Sequence, residues 1–114
     1  ISGEVDEKSR LIGDVVVEKG AEIKNSIING PAVIGAGSLV ENSFIGPFTS
    51  ISDNCVVKNS EIEMSIVGDE TEIIDIPRRI RESIIGERVK IKGNNGRPKG
   101  DRFIVGDQST VSVC

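Results

Sequence analysis

The chain has 114 residues, 14 basic against 18 acidic side chains for a net charge of −4, and no histidine, tryptophan or tyrosine. That length suits one domain, and the acidic balance argues against a nucleic-acid partner. No apolar run is long enough for a membrane-spanning helix, and the missing histidine removes the commonest general base and a common metal ligand.

Residues 1–10 lack the apolar stretch of a signal peptide, and the chain opens on Ile1 rather than methionine, as expected of a piece of a longer polypeptide. From Val17 a seventeen-residue echo begins. Val17, Ile34 and Ile51 form one column, Ile23, Val40 and Val57 a second, and Ile28, Ile45 and Ile62 a third. Steps of six, five and six residues separate successive members, and a small residue precedes each by two positions except at Val17. These partners align as Ala32 and Thr49, as Ala21, Ser38 and Cys55, and as Ser26, Ser43 and Ser60. A helix needs a period near 3.6 and a hairpin sheet needs longer alternation, so neither explains the steps. A three-sided parallel β-helix does, with each step one short strand and a corner, and each set of three steps a coil stacked on the last. The aliphatic residue and the small one two places earlier point to the same side of the strand, inward. Glycine follows the aliphatic in Ile12-Gly13, Ile34-Gly35, Ile45-Gly46, Val67-Gly68, Ile85-Gly86 and Val105-Gly106, where a tight turn is expected.

Beyond Ile62 the inward positions continue at Val67, Ile73, Ile80, Ile85 and Ile91, with a bulged corner expected at Asp75-Ile76-Pro77. Residues 92–102, KGNNGRPKGDR, are predicted to protrude as a loop, and Val105 and Val111 resume the repeat. The Gly-Asn-Asn-Gly at 93–96 lacks the strand and helix context of a phosphate-binding loop. The expectation is one all-β domain over 1–114 with five to six triangular coils. Aromatics are confined to Phe44, Phe48 and Phe103, as a narrow solenoid requires. The two cysteines form no disulfide framework: Cys55 takes an inward small position and Cys114 is terminal, which favours a cytoplasmic setting.

Two surface features are candidate interaction sites. Val16, Val33, Ile66, Ile84 and Ile104 each precede an inward aliphatic and fall on one side of the triangle, interrupted by Ser50; Ile27 and Phe44 form a shorter pair on another side. A column of five exposed aliphatics suits an oligomer or interdomain interface, although β-branched residues also suit strands for their own sake. Charge is the second feature. Residues 1–75 carry 5 basic and 14 acidic side chains, net −9, whereas residues 76–102 carry 9 and 3, net +6. The basic end holds Arg78, Arg79, Arg81, Arg88, Arg97, Lys99 and Arg102, besides Lys90 and Lys92, and reads either as solvated charge or as a docking patch for a neighbour's acidic half or a phosphate-bearing effector.

The pattern of small residue, any residue, Ile or Val, then Gly resembles the hexapeptide repeat of left-handed parallel β-helix proteins, and the handedness is implied by that resemblance. Many of those proteins are acyltransferases with a histidine base, and others resemble zinc-dependent carbonic anhydrases; this chain has no histidine for either. More specifically, the segments Asn59-Ser60-Glu61-Ile62-Glu63, Arg78-Arg79-Ile80, Ser83-Ile84-Ile85-Gly86 and Gly106-Asp107-Gln108-Ser109 resemble the C-terminal tail of the long-form glucose-1-phosphate thymidylyltransferases over nearly the whole chain. The resemblance implies an N-terminal nucleotidyltransferase domain outside this chain that uses Mg²⁺, dTTP and glucose 1-phosphate. It implies no catalytic, metal or cofactor residue here, and a role in oligomerisation or regulation, with the catalytic domain and further copies, in a trimer for example, as partners. Alternatives are an acyltransferase without its own histidine and a free-standing scaffold.

Overall fold

In a computed structural model of the protein, residues 2–93 are described in full, and beyond them the backbone of two strands, Ile104–Val105 and Thr110–Val113. The described elements are all strands, and all pair in parallel in three sheets, which form the three faces of a prism. The first face contains β1 (Glu4–Val5), β4 (Glu22–Lys24), β7 (Leu39–Glu41), β10 (Val56–Lys58), β13 (Glu72–Ile74), β16 (Lys90–Gly93) and β18 (Thr110–Val113). On the second lie β2 (Arg10–Ile12), β5 (Ile27–Asn29), β8 (Phe44–Ile45), β11 (Glu61–Glu63) and β14 (Ile80–Arg81). The third is built from β3 (Val15–Val17), β6 (Ala32–Ile34), β9 (Thr49–Ile51), β12 (Ile66–Val67), β15 (Ile84–Ile85) and β17 (Ile104–Val105). Five complete coils result, and β16, β17 and β18 extend the first and third faces beyond them. Strand β16 runs through Gly93, so Lys92 and Gly93 belong to the sheet rather than to the predicted loop, whose remaining residues 94–102 lie outside the described ones.

The three aliphatic columns are the inward rows of the three faces. Ile23 pairs with Val40 and Val40 with Val57 on the first, Ile28 with Ile45 and Ile45 with Ile62 on the second, and Val17 with Ile34 and Ile34 with Ile51 on the third. All are buried, as are Val67, Ile73, Ile80, Ile85 and Ile91 above them. The small residues between them have a chemical as well as a steric reason. The Ser43 hydroxyl donates to the Glu41 carbonyl at 2.8 Å and accepts the Ser60 backbone N–H of the next coil at 3.3 Å. Ser26 and Ser60 repeat the arrangement, donating to Lys24 and Lys58 and accepting from Ser43 and Ile76. A hydroxyl at this position thus satisfies an amide of the next coil and adds a second donor to a corner carbonyl that already accepts from the coil above. Among the described residues no buried side-chain nitrogen or oxygen lacks a partner.

The corners use positive φ where the chain turns. The first corner, between first and second faces, places Asn25, Asn42, Asn59 and Asp75 in the left-handed region (φ 47°, 51°, 51° and 57°). Asn and Asp tolerate that region best after glycine. The glycines after inward aliphatics have a different basis from the tight turn expected of them. Gly13 does turn with φ 81°, but it follows the exposed Ile12, since Leu11 is the inward residue of β2; Gly35, after the inward Ile34, is without positive φ and is required by space, because a Cβ there would run into the Ser52 backbone one coil above. The bulge at Asp75-Ile76-Pro77 is present: Ile76 takes the serine position above Ser60, and Pro77 and Arg78 are inserted before Ile80 rejoins the register opposite Ile62.

Candidate interaction surfaces

The pairing of the third face puts the predicted apolar column in strict register. Val16 lies beside Val33, Val33 beside Ser50, Ser50 beside Ile66, Ile66 beside Ile84 and Ile84 beside Ile104. Because side chains alternate across a strand, burial of Val17, Ile34, Ile51, Val67 and Ile85 forces this row outward. Ile66 and Ile84 are 55% and 58% exposed, with Val16 and Val33 exposed below them. No residue of the row is charged.

The second corner, between second and third faces, adds residues that the alternation did not reveal. Ile12 closes β2 with its side chain exposed, Phe48 is 67% exposed, and Met64 is exposed at the next coil. Phe48 and Met64 both have positive φ, 61° and 49°. Their signal in the sequence was a change of corner length: three residues separate inward positions 45 and 49, but two separate 62 and 65. Corner residues have no inward option once their neighbours are buried, so an apolar one is exposed.

On the second face the pair Ile27 and Phe44 also stands in register, with Glu61 next and Arg79 opposite Glu61. Arg79 lies over the Phe44 ring at 4.8 Å from its centroid, and its Nη1 and Nε bind Glu63 Oε1 at 2.6 Å and Glu61 Oε1 at 3.0 Å. Hydrogen bonds from the guanidinium to Glu63 and then Glu61 raise its pKa further above the usual range. One side chain thus ties three coils together through a cation–π contact and two carboxylates. Beside it, the first corner carries a ladder of amides: Asn25 Nδ2 donates to Asn42 Oδ1 (2.6 Å), Asn42 Nδ2 to Asn59 Oδ1 (3.2 Å) and Asn59 Nδ2 to Asp75 Oδ1 (2.7 Å). Its sequence signal, asparagine at a seventeen-residue interval, lay in the same echo as the columns. Ladder, Ile27 and Phe44 floor, and the Pro77–Arg78 bulge enclose a shallow groove of ≈ 560 Å³.

The basic end is partly neutralised within the chain. Arg79 is paired as above, and Arg88 Nη1 lies 3.5 Å from Glu87 and 4.0 Å from Glu70. Arg78 and Arg81 are exposed near the bulge, while Arg97, Lys99 and Arg102 lie outside the described residues. Among the described residues no group of three or more acidic, cysteine or histidine side chains is placed to hold a metal, and no helix is long and apolar enough to cross a membrane. Cys55 is buried against the Asp53 and Gly68 carbonyls, and burial pushes its thiol pKa up. A protonated, enclosed thiol packs as a small apolar group rather than acting as a nucleophile.

No family model matches the sequence. A glucose-1-phosphate thymidylyltransferase of Streptomyces griseus is 48% identical over 111 residues, which span 97% of this chain and 31% of that protein. The chain is homologous to one part of that protein. A second glucose-1-phosphate thymidylyltransferase, of Streptomyces antibioticus, is 47% identical over 113 residues, 99% of this chain and 32% of its own length. The chain therefore spans about a third of these thymidylyltransferase relatives. Among solved structures, the acetyltransferase domain of PglB from Neisseria gonorrhoeae superposes with a TM-score of 0.54 over 92% of this chain and 55% of that one. At 13% identity that likeness shows a shared fold.

Proposed function

We propose that this chain is the non-catalytic C-terminal β-helix of a glucose-1-phosphate thymidylyltransferase, a cytoplasmic enzyme that joins dTTP and glucose 1-phosphate to give dTDP-glucose and pyrophosphate. The near-complete alignment with two proteins of that name, at 48% and 47% identity, carries the proposal. The chemistry belongs to the N-terminal part of the parent polypeptide, where Mg²⁺ assists nucleotidyl transfer. The acidic side chains described here do not converge in a way that fits that ion. The β-helix serves assembly or regulation, and its partners are the parent's catalytic domain and further copies of itself, a trimer being one closed form. The fold likeness to an acetyltransferase domain adds no second activity, because a histidine base is absent from the sequence.

The test is an assay of the full-length parent protein with Mg²⁺, glucose 1-phosphate and either dTTP or UTP, following pyrophosphate and the nucleotide sugar. Formation of dTDP-glucose is the expected result, and faster turnover of UTP would reassign the nucleotide. Absence of pyrophosphate release with both nucleotides would remove the transferase reading.

A further inference from the structure

We propose that Asn29-Gly30 is a site of spontaneous covalent modification, the intramolecular deamidation of an asparagine with water as co-reactant, and that opening of the first coil gates it. In that reaction the Gly30 backbone nitrogen attacks Asn29 Cγ and the Cγ–Nδ2 bond breaks. The side-chain amide leaves as ammonia, carrying the proton of the Gly30 nitrogen. Water then opens the resulting cyclic imide at either carbonyl and leaves an aspartyl or an isoaspartyl residue. A following glycine favours the attack, because no side chain shields its nitrogen and its backbone turns freely. Among the described asparagines only Asn29 precedes glycine; the Asn-Gly pair at 95–96 lies outside the described residues.

The fold treats Asn29 unlike the asparagines of the ladder. Asn25, Asn42 and Asn59 are each followed by serine, and each commits its Nδ2 to the next ladder residue. The backbone N–H of each following serine is held by a serine hydroxyl one coil below. Asn29 instead closes β5 half-buried, on the outer side of the strand because Ile28 is inward, and beside Ile12 of β2. Among the described residues no hydrogen bond holds its side-chain amide. One bond restrains the reaction: the Gly30 N–H donates to the Ile12 carbonyl at 2.7 Å. While that bond lasts, the nitrogen keeps its proton on Ile12 and cannot turn toward Cγ.

The Ile12 carbonyl belongs to the least supported strand of its face. Strand β2 ends the second sheet, so among the described strands β5 is its single neighbour. Its inward residue Leu11 is only partly buried, whereas Ile28 above it is fully buried. An end strand with an incomplete core opens more readily than one held between two coils. Glycine is nevertheless fixed at position 30, because a Cβ there would run into the Asp14 backbone, whose carbonyl accepts the Ala32 N–H at 3.0 Å. The close approach that demands the labile dipeptide therefore also supplies its clamp, and both clamping residues, Ile12 and Asp14, belong to the first coil. The product keeps the clamp open. An isoaspartyl residue adds a backbone atom between Ile28 and Ala32, so β5 and β6 cannot both hold their register with β2 and β3.

The experiment incubates the full-length parent protein at mildly alkaline pH over a series of urea concentrations. Hydrogen exchange at the Gly30 amide and peptide mass spectrometry around Asn29 are read on the same samples, and the peptide readout keeps the pair at 95–96 apart. Modification at Asn29 should outpace that at Asn25, Asn42 and Asn59 by about tenfold or more. Its rate should equal the rate in the unfolded chain multiplied by the open fraction that exchange at Gly30 reports. Leu11→Ala loosens the end strand and should raise exchange and modification together by about tenfold. Asn29→Gln should suppress modification and leave exchange at Gly30 unchanged, which separates the chemistry from the opening. Isoaspartyl molecules should keep the Gly30 and Ala32 amides in fast exchange. Four results would each overturn the assignment: Asn29 intact where the Gly30 amide exchanges freely, modification while Gly30 stays protected, ladder asparagines modified as fast as Asn29, or exchange at Gly30 that ignores Leu11→Ala.

Discussion

The first and second corners of the prism solve the same turning problem with opposite consequences. At the first corner the left-handed positions are Asn25, Asn42, Asn59 and Asp75, whose side chains bind one another from coil to coil. At the second they are Gly13, Phe48, Met64 and Glu82. A residue type that tolerates positive φ and also hydrogen-bonds along the axis makes a corner that is complete within one chain. At the second corner Phe48, Met64 and Glu82 are strained, and the first two have apolar tips exposed. The difference shows that a repetitive fold can link its coils along one edge and leave another edge without such links, without altering its core.

The largest expected effect removes what both corners rest on. Ile62→Ala empties one position of the buried column of the second face and should lower unfolding free energy by about 2–5 kcal/mol, measured by urea denaturation. Because Ile62 lies between Ile45 and Ile80, both neighbouring coils should lose amide protection together. A loss below about 1 kcal/mol would mean that the coils collapse around the gap. Next comes the ladder itself. Asn42→Ala removes the amide that donates to Asn59 and accepts from Asn25, and leaves alanine at φ 51°. Two exposed hydrogen bonds and the backbone penalty together predict a loss of about 2 kcal/mol. Asn42→Gly keeps the turn relaxed and should lose about 1 kcal/mol, so the two variants separate conformation from hydrogen bonding.

These effects follow from features of unequal legibility in the sequence. The inward columns were legible because a narrow triangle accepts one large and one small side chain per strand, so Ile, Val, Ser, Thr and Ala recur at fixed steps. The outward row of Val16, Val33, Ile66 and Ile84 followed from alternation alone. Phe48 and Met64 escaped because the second corner shortens from three residues to two, and alternation does not extend through a corner. Arg79 shows a further limit. The sum of charge over residues 76–102 suggested a basic end, solvated or docking, but the Pro77–Arg78 insertion sets Arg79 opposite Glu61, where its charge is balanced by acids sixteen and eighteen residues earlier. Pairing between coils depends on where insertions fall, and charge summed along the chain does not record it.

The second corner predicts a smaller effect of opposite sign. Met64→Asn places a residue that tolerates φ 49° at a strained position. The variant should be more stable by about 0.5–1 kcal/mol in urea. A variant less stable than wild type would indicate that Met64 contributes packing within its own chain that exceeds its strain.

The smallest effect sharpens the first corner at its open end. Above the first coil, the backbone N–H of each ladder residue donates to a carbonyl one coil below: Asn42 to Lys24, Asn59 to Glu41 and Asp75 to Lys58. The Asn25 N–H instead reaches the Asp6 carboxylate at 3.1 Å, which also accepts from the Ser9 hydroxyl at 2.6 Å. The Ser9 bond, with help from the backbone N–H groups of Asn25 and Lys8, holds the Asp6 carboxyl below its ordinary pKa despite an opposing contribution from desolvation. A depressed pKa means that the folded form prefers the ionised carboxylate. Its contribution is therefore complete above the ordinary carboxylate range near 4 and is lost as pH falls through the lowered value. Hydrogen exchange at the Asn25 amide should accordingly be slow at neutral pH relative to Asp6→Ala, with the two converging in strongly acidic solution. Convergence already at neutral pH would mean that water replaces the carboxylate without loss, and that the ladder begins at Asn25 with no cap beneath it.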